Sequence, residues 1–443
     1  MLDEIVCFIF IIILAILLRS IPHIRFYYPG LPDTFYFLNK FKDVSYREED
    51  VKYPPLFYRC ARFLIRNKKE FSDRRINQIT PAMDIATMFI SYLYLRMVFG
   101  IPLSLATLLL YSVTPFIVRT GVCLNSRPFG LLLFTCSVLS LTFPWPWNVI
   151  SIVPISLTLL SHRLSTQALF FVCLASSFID ATIGFIFIGG FILAVLVSKG
   201  EYLGILENHL SAIYKYAKGN HYPNKRLMGF ILTPSIAGFA VYESIIALQG
   251  IITFPLHFGG VVINPILVIN SYVQTLFSIW ILVCLFLLAF WVAGESYKHM
   301  YLASLPSAFF SAYIAVQNPE LLWILFLLVI VSLGISLKMM LTFEHLDESS
   351  VLLMRKLRIV PNESRFFMVT HYVRASEFFS GRVAVPFNYD SKSKQDIKEV
   401  VKSQHITHGI IEKKNLHLID EIQILDENEQ WVLFEIQEST SDP

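Results

Sequence analysis

What most constrains this chain is a succession of apolar runs, each long enough to cross a bilayer, that continues from its start to about residue 342. A spanning helix needs about 20 mostly apolar residues. Candidates are 2–18, 79–99, 101–118, 128–145, 148–162, 164–180, 182–198, 227–249, 267–293, 301–317 and 320–342, about eleven in all. Residues 164–198 read either as two short helices meeting at Asp180 or as one long bent helix. Gly184, Gly189 and Gly190 permit close helix packing there. A soluble core cannot hide this much apolar surface. The chain is 55% hydrophobic and 16% charged, against about 25% charged for ordinary soluble domains. The first run does not read as a signal peptide. Asp3 and Glu4 stand where a basic region belongs, and Arg19-Ser20-Ile21-Pro22 offers no small-x-small cleavage site. It is expected to be an uncleaved first membrane helix.

Charge is unevenly placed. Residues 1–343 hold 24 Lys+Arg and 16 Asp+Glu, and residues 344–443 hold 12 and 17. The acidic tail argues against nucleic acid as a partner, because phosphate binding needs clustered basic residues. Cys7, Cys60, Cys123, Cys136, Cys173 and Cys284 form no CxxC pair and sit mostly in or beside apolar runs, so they read as small core hydrophobes. After Met340 the texture changes. Residues 366–371, 382–387 and 407–412 look like strands, 394–404 like an amphipathic helix, and 422–425 with 431–436 like a hairpin. The expected architecture is a polytopic α-helical membrane protein with a small C-terminal α/β soluble domain. Residues 1–343 form the membrane domain, including an interfacial first loop 19–76, and residues 344–443 form the soluble one.

That first loop carries the motifs. It holds 13 Lys+Arg and 7 Asp+Glu, with aromatics throughout. Residues 56–66 alternate apolar and basic faces at helical spacing, as a helix lying in the membrane interface does. Three stretches stand out: Tyr28-Pro-Gly-Leu-Pro-Asp33-Thr-Phe-Tyr36, Glu48-Glu-Asp50 and Lys52-Tyr-Pro-Pro-Leu-Phe-Tyr58. An acidic residue soon after a first membrane helix, followed about twenty residues on by Tyr-Pro-Pro-Leu, resembles the GT-C superfamily of membrane glycosyltransferases. Many members, including protein mannosyltransferase-like and aminoarabinose transferase-like ones, have a Lys-Pro-Pro-Leu or Tyr-Pro-Pro-Leu segment later in the same loop. Two further stretches share the resemblance: Ser161-His162-Arg163-Leu-Ser165, a His-containing break between helices, and Phe378-Phe-Ser-Gly381-Arg382 in the tail. The pattern departs from the family at Thr34, where an Asp-Glu pair would continue, and lacks the long C-terminal signature of oligosaccharyltransferases.

The resemblance implies an inverting hexosyl- or pentosyltransferase that takes a sugar from a polyprenyl-phosphate carrier and passes it to a glycan, lipid or protein acceptor. Asp33 matches the catalytic acidic position; Tyr53, Pro54, Pro55 and Leu56 match the second motif. Such a reaction needs a base for the acceptor and cations for the departing phosphate. Arg19, Arg25, Lys52, Arg59, Arg127, His162 and Arg163 are the candidates for donor phosphate. Tyr28, Tyr36, Glu49, Asp50 and Tyr53 are the candidates for sugar or acceptor. No cofactor follows from the residues, and the resemblance leaves room for a divalent metal, Mg or Mn.

Each of these residues also has a plainer role. Asp33 can follow Pro32 in a solvated turn or cap the next helix. Residues 48–50 can be a solvated charge run. His162, Arg163 and Arg127 can anchor helix ends at the interface. Asp84, Asp180 and Glu243 lie in or beside apolar runs and are expected to be interhelical partners. The +6 balance of the first loop would place it in the cytoplasm by the positive-inside rule. The resemblance places it, and the active site, on the extracytoplasmic side of the cell membrane. At about 58 residues the loop is long enough for the rule to weaken. A transporter or lipid flippase is the competing reading, but the chain shows no internal repeat of the kind such proteins often carry.

Overall fold

In the computed structural model, the described residues are 2–30, 32–41, 54, 56–65, 77–217, 271–289, 299–361, 365–369, 373–382, 384–385, 394–419 and 422–437. They fall into two compact units. One comprises Met1–Ile21 and Val51–Thr342, the other Pro22–Asp50 and Phe343–Pro443.

The first unit is helical. Its elements are α1 (Leu2–Arg25), α3 (Leu56–Ile65), α4 (Ile79–Phe99), α5 (Ile101–Val113), α6 (Pro115–Val122), α7 (Arg127–Leu141), α8 (Ile152–Leu159), α9 (Arg163–Ser177), α10 (Ala181–Val197), α11 (Glu201–Ala217), α12 (Tyr272–Ala289), α13 (His299–Leu302), α14 (Ser304–Gln317) and α15 (Leu322–Leu341). The second unit contributes α2 (Pro32–Phe41), which lies between α1 and α3 in sequence. Most helices fall where the apolar runs predict them. The run at 227–249 and Glu243 lie outside the described residues. Among the described residues, three helices are long and apolar enough to cross a membrane, or up to five if each bent pair is one span.

Local sequence explains the breaks. Pro102, Pro115 and Pro128 each sit in the first turn of a helix, where a missing N–H costs nothing. The α5–α6 pair bends by 61° at Thr114-Pro115, where proline cannot continue the preceding ladder. The α10–α11 pair turns by 113° through Lys199 and Gly200, both at positive φ. Asp180 caps α10 by accepting from the Thr182 N–H and also accepts from Tyr272 Oη at 3.0 Å. The core is aromatic: Trp280 meets Phe134 edge-on at 4.8 Å, and Phe309 meets Phe277 at 5.1 Å. The glycines on α10 do close the packing. A Cβ on Gly190 would lie 2.4 Å from Ile155. At the start of α1, buried Glu4 accepts from Tyr92 at 2.6 Å and pairs with Arg96, tying α1 to α4.

The second unit joins part of the first loop to the tail. It contains β1 (Tyr28–Pro29), α2, β2 (His345–Leu346), α16 (Glu348–Lys356), β3 (Arg365–Val369), α17 (Val373–Ser380), α18 (Lys394–Ser403), β4 (Ile406–Glu412), β5 (Ile422–Glu427) and β6 (Trp431–Ile436). Residues 22–50, read from sequence as part of the membrane domain, belong here because β1 pairs with β2 and α2 packs on α17. The larger sheet has the order β3-β4-β6-β5, with β3 and β4 parallel and the remaining pairs antiparallel. The expected hairpin is β5–β6. The expected strand at 382–387 does not form among its described residues: the Ala384 N–H donates to Glu377 Oε1 and the Arg382 N–H to Ser380 Oγ, both at 3.1 Å, and Arg382 is also held by its side chain. Its guanidinium donates to the carbonyls of Leu357, Val360 and Pro361 at 3.0–3.2 Å.

His408 on β4 is buried, and burial pushes its pKa below the usual histidine value. The Arg382 charge acts in the same direction, and Glu435, 3.8 Å away, opposes it. A folded-state pKa below the unfolded one means that the unfolded chain binds the proton more readily. This stabilisation is therefore complete above about pH 6.5 and is lost as pH falls below it. Hydrogen exchange of β4 and β6 amides in the full chain should speed up below that pH beyond the intrinsic rate change. His408→Gln should flatten the dependence, and an equal dependence in both proteins would contradict the assignment.

Candidate active site

In the helical unit, three chain segments meet at one place. Arg127 is the first residue of α7, and its N–H is held by Asn125 Oδ1 at 2.9 Å. Asn125 is itself fixed, donating through Nδ2 to the carbonyls of Thr120 and Cys123 at 3.0 and 2.7 Å. Arg163 is the first residue of α9, preceded by buried His162 in extended conformation. The two helix starts touch. A Cβ on Gly130 would lie 2.6 Å from both His162 Cβ and Ser165 Oγ. The third segment is the second loop motif: the Leu56 N–H donates to the Leu160 carbonyl at 3.0 Å, Phe57 packs on Phe129 at 5.9 Å, and Pro54 is buried.

This arrangement can hold an anion. Each helix start carries about half a positive charge from its aligned peptides. Arg127 and Arg163 add a full charge at each start. The two motifs that the sequence marks, Tyr-Pro-Pro-Leu and the His-containing break, are thus neighbours through Leu56 and Leu160. Gly130 gave no signal in the sequence, yet it sets how closely α7 and α9 approach. Gly130→Ala should force the two starts apart. The expected result is a Tm lower by several degrees, corresponding to about 1–3 kcal/mol of overpacking. A Tm equal to wild type would show that the approach is not tight.

Other expected phosphate ligands are engaged differently. Arg19 is almost fully buried between helices. Its Nε donates to Asp84 Oδ2 at 2.6 Å, and Nη1 donates to the carbonyls of Ala15 and Ser112 at 2.9 and 3.3 Å. Nη2 lies 2.5 Å from Oδ2 without the alignment of a hydrogen bond, so it contributes charge. Tyr111 Oη donates to Asp84 Oδ1 at 2.9 Å. Gly121 leaves room for the pair, since a Cβ there would lie 3.1 Å from both Arg19 Nε and Asp84 Oδ2. Asp84 is the interhelical partner that its apolar setting predicts, and Arg19 is its counter-ion rather than a phosphate ligand. Arg59 forms an exposed ion pair with Glu201 at 2.8 Å.

In the second unit, Asp33 is the second residue of α2, inside the helix rather than at its cap. Its side chain lies outside the described part of the structure. Tyr28 does not suit sugar stacking. It is buried, with its ring on Phe35 at 5.3 Å and edge-on to Phe379 at 5.4 Å. Tyr36 is half-buried on α2, and Arg25 lies 5.6 Å over the Phe26 ring. Glu49, Asp50, Lys52 and Tyr53 lie outside the described residues. Among the described residues, no three His, Cys, Asp or Glu side chains come close enough to hold a metal ion.

No protein-family model matches the sequence, and no curated protein matches it. Solved structures do. The Archaeoglobus fulgidus oligosaccharyltransferase tethered with an acceptor peptide containing the NVT sequon is similar over 91% of this chain and 69% of its own, with a TM-score of 0.63 and 12% identity. Its apo form is similar over 92% and 69%, with a TM-score of 0.62 and 11% identity. The Archaeoglobus fulgidus oligosaccharyltransferase AglB in complex with an inhibitory peptide and a dolichol-phosphate is similar over 91% and 69%, with a TM-score of 0.56 and 10% identity. At this identity the likeness is one of fold, and it extends over nearly the whole chain. The protein shares the fold of these archaeal oligosaccharyltransferase structures, and several of its described helices are long and apolar enough to cross a membrane.

Proposed function

We propose that this protein is a membrane glycosyltransferase that moves a sugar from a polyprenyl-phosphate carrier to an acceptor at the extracytoplasmic face. The observation that carries the reading is the meeting of two arginine-bearing helix starts, α7 and α9, with the Tyr-Pro-Pro-Leu segment. An anion site of this kind, built within membrane helices, suits a phosphate whose isoprenoid tail stays in lipid. The archaeal neighbour's complex with dolichol-phosphate supports that choice of ligand class. The expected count of about eleven spans, a tail domain outside the bilayer and the hexosyl- or pentosyl-transfer chemistry belong to the same proposal.

The chemistry is a single displacement. An acceptor O–H or N–H attacks the anomeric carbon, the bond from that carbon to the phosphate oxygen breaks, and configuration inverts. The acceptor proton passes to the Asp33 carboxylate, and the electron pair leaves on polyprenyl phosphate. Arg127, Arg163 and the α7 and α9 N–H groups stabilise that phosphate as its charge grows. His162 holds the approach between the two helix starts. A divalent ion, Mg or Mn, remains an expectation of the resemblance. One structure of the archaeal neighbour contains Zn and sulfate.

The roles separate kinetically. Arg163→Gln and Arg127→Gln should each lower kcat/KM for a labelled polyprenyl-phosphate-linked sugar by roughly 10²- to 10³-fold, as loss of one charge-stabilising donor does. Unchanged kinetics in both variants would remove the phosphate assignment.

A further inference from the structure

In the second unit, the tail grips the helix that carries Asp33. On the near side of Asp33, β1 pairs antiparallel with β2, and the Gly30 N–H donates to the Glu344 carbonyl at 3.2 Å. On the far side, Thr34, Phe35, Phe37, Leu38 and Asn39 are all buried. Phe35 meets Phe379 at 5.7 Å and Phe378 at 6.2 Å, and Asn39 Nδ2 donates to the Arg374 carbonyl at 2.8 Å. The α2 backbone at Asp33 is therefore bracketed by tail contacts three residues before it and two residues after it.

The α17 segment that makes these contacts is itself held on several sides. Arg358 Nε donates to the Phe379 carbonyl at 2.8 Å, and the Arg355 guanidinium lies 5.8 Å over the Phe379 ring. Buried Glu377 accepts from Arg374 Nη1 and from the Ala384 N–H, both at 3.1 Å. Gly381 ends the helix at φ +73°, a conformation that suits glycine. Arg382 then locks the turn onto the three carbonyls that close α16.

We infer that Phe379, with Phe378 and Arg382 behind it, is a positioning residue for Asp33: the tail sets the orientation of α2 and so the geometry of proton transfer, without touching the reactants. The inference rests on Asp33 being the base. A general base must stand within hydrogen-bond reach of the proton it takes, and a misplacement of about 1 Å by a remote change can cost on the order of 10²-fold in rate. Loosening α17 should lower kcat and leave KM for the lipid donor near its wild-type value.

Two variants of the full chain in lipid nanodiscs test this: Phe379→Ala and the milder Asn39→Ala. Hydrogen exchange needs no substrate. Both variants should raise exchange of the α2 amides from Thr34 to Leu38 while the amides of α7 and α9 stay unchanged. Unchanged α2 exchange in both would overturn the inference. With a labelled polyprenyl-phosphate-linked sugar as probe, Phe379→Ala should lose about 10- to 100-fold in kcat with little change in KM, and Phe379→Leu should recover part of it. In an Asp33→Asn background, Phe379→Ala should cost nothing more, whereas an equal further loss would assign it a general structural role. If Asp33→Asn itself turned over normally, the reading of the base would fall. An impaired Asp33→Asn beside an unimpaired Phe379→Ala would instead sink only the positioning role.

Discussion

Asp33→Asn should lower turnover of a polyprenyl-phosphate-linked sugar by roughly 10²- to 10⁴-fold, the range ascribed to a positioned general base. KM for the donor should change little, because the lipid phosphate is assigned to Arg127 and Arg163. The fold should be intact, since Asp33 sits in the first turn of α2 while the packing falls on Thr34, Phe35 and Leu38. Asp33→Glu keeps the carboxylate but moves it by one methylene, and it should recover only part of the rate. Steady-state kinetics of the three proteins, with hydrogen exchange to confirm the α2 fold, separate these outcomes. Wild-type turnover in Asp33→Asn would place the base elsewhere.

The second large effect is on stability and concerns no reactant. Asp84→Leu should cost about 3–5 kcal/mol, because it leaves the Arg19 guanidinium as an uncompensated buried charge between α1, α4 and α5. Tyr111 would lose its acceptor as well. The double variant Arg19→Met with Asp84→Leu should recover most of that loss, since replacing both partners by apolar groups of similar volume is often neutral. Thermal unfolding in detergent reads this as a large drop in Tm for the single variant and a small one for the double. A single variant as stable as wild type would show that lipid or water reaches the pair. Equal drops in both would point to packing rather than charge.

Most of the helical architecture was legible because apolar length and proline position act locally. The start of α10 was read at Asp180, whereas 101–118, read as one run, is broken at Thr114-Pro115 into α5 and α6. The sheet was legible from alternation, apart from the expected strand at 382–387. That failed because alternation says nothing of which side chains take the backbone donors, and Ser380 and Glu377 take those of Arg382 and Ala384. The pairing of Arg19 with Asp84 was half legible. A carboxylate in an apolar run needs a partner, but the residue 65 positions away that supplies it is a matter of three-dimensional packing. Tyr28 misled for a related reason. An aromatic in a polar loop suggests a binding surface, yet here it is the core that joins β1 and α2 to α17. Gly130 and Gly121 were silent, because a glycine that admits a neighbour's side chain looks like any other glycine in one sequence.

The motifs fared differently from one another. Tyr-Pro-Pro-Leu and the His-containing break, about a hundred residues apart in the chain, are tied together by the Leu56–Leu160 hydrogen bond. Nothing in their spacing required it. The Phe378-Phe-Ser-Gly381-Arg382 stretch, one of the two weaker similarities, sets its aromatics against the helix of Asp33.

The most direct measurement is transfer of a labelled sugar by the purified chain in nanodiscs, from a polyprenyl-phosphate-linked donor to a panel of glycan, lipid and peptide acceptors. The expected result is time-dependent loss of label from the lipid carrier, its appearance on an acceptor with inverted anomeric configuration, and failure of both in Asp33→Asn. Donor that binds and stays intact across the whole panel, while reconstituted vesicles move it unchanged from one leaflet to the other, would contradict the account and favour a flippase.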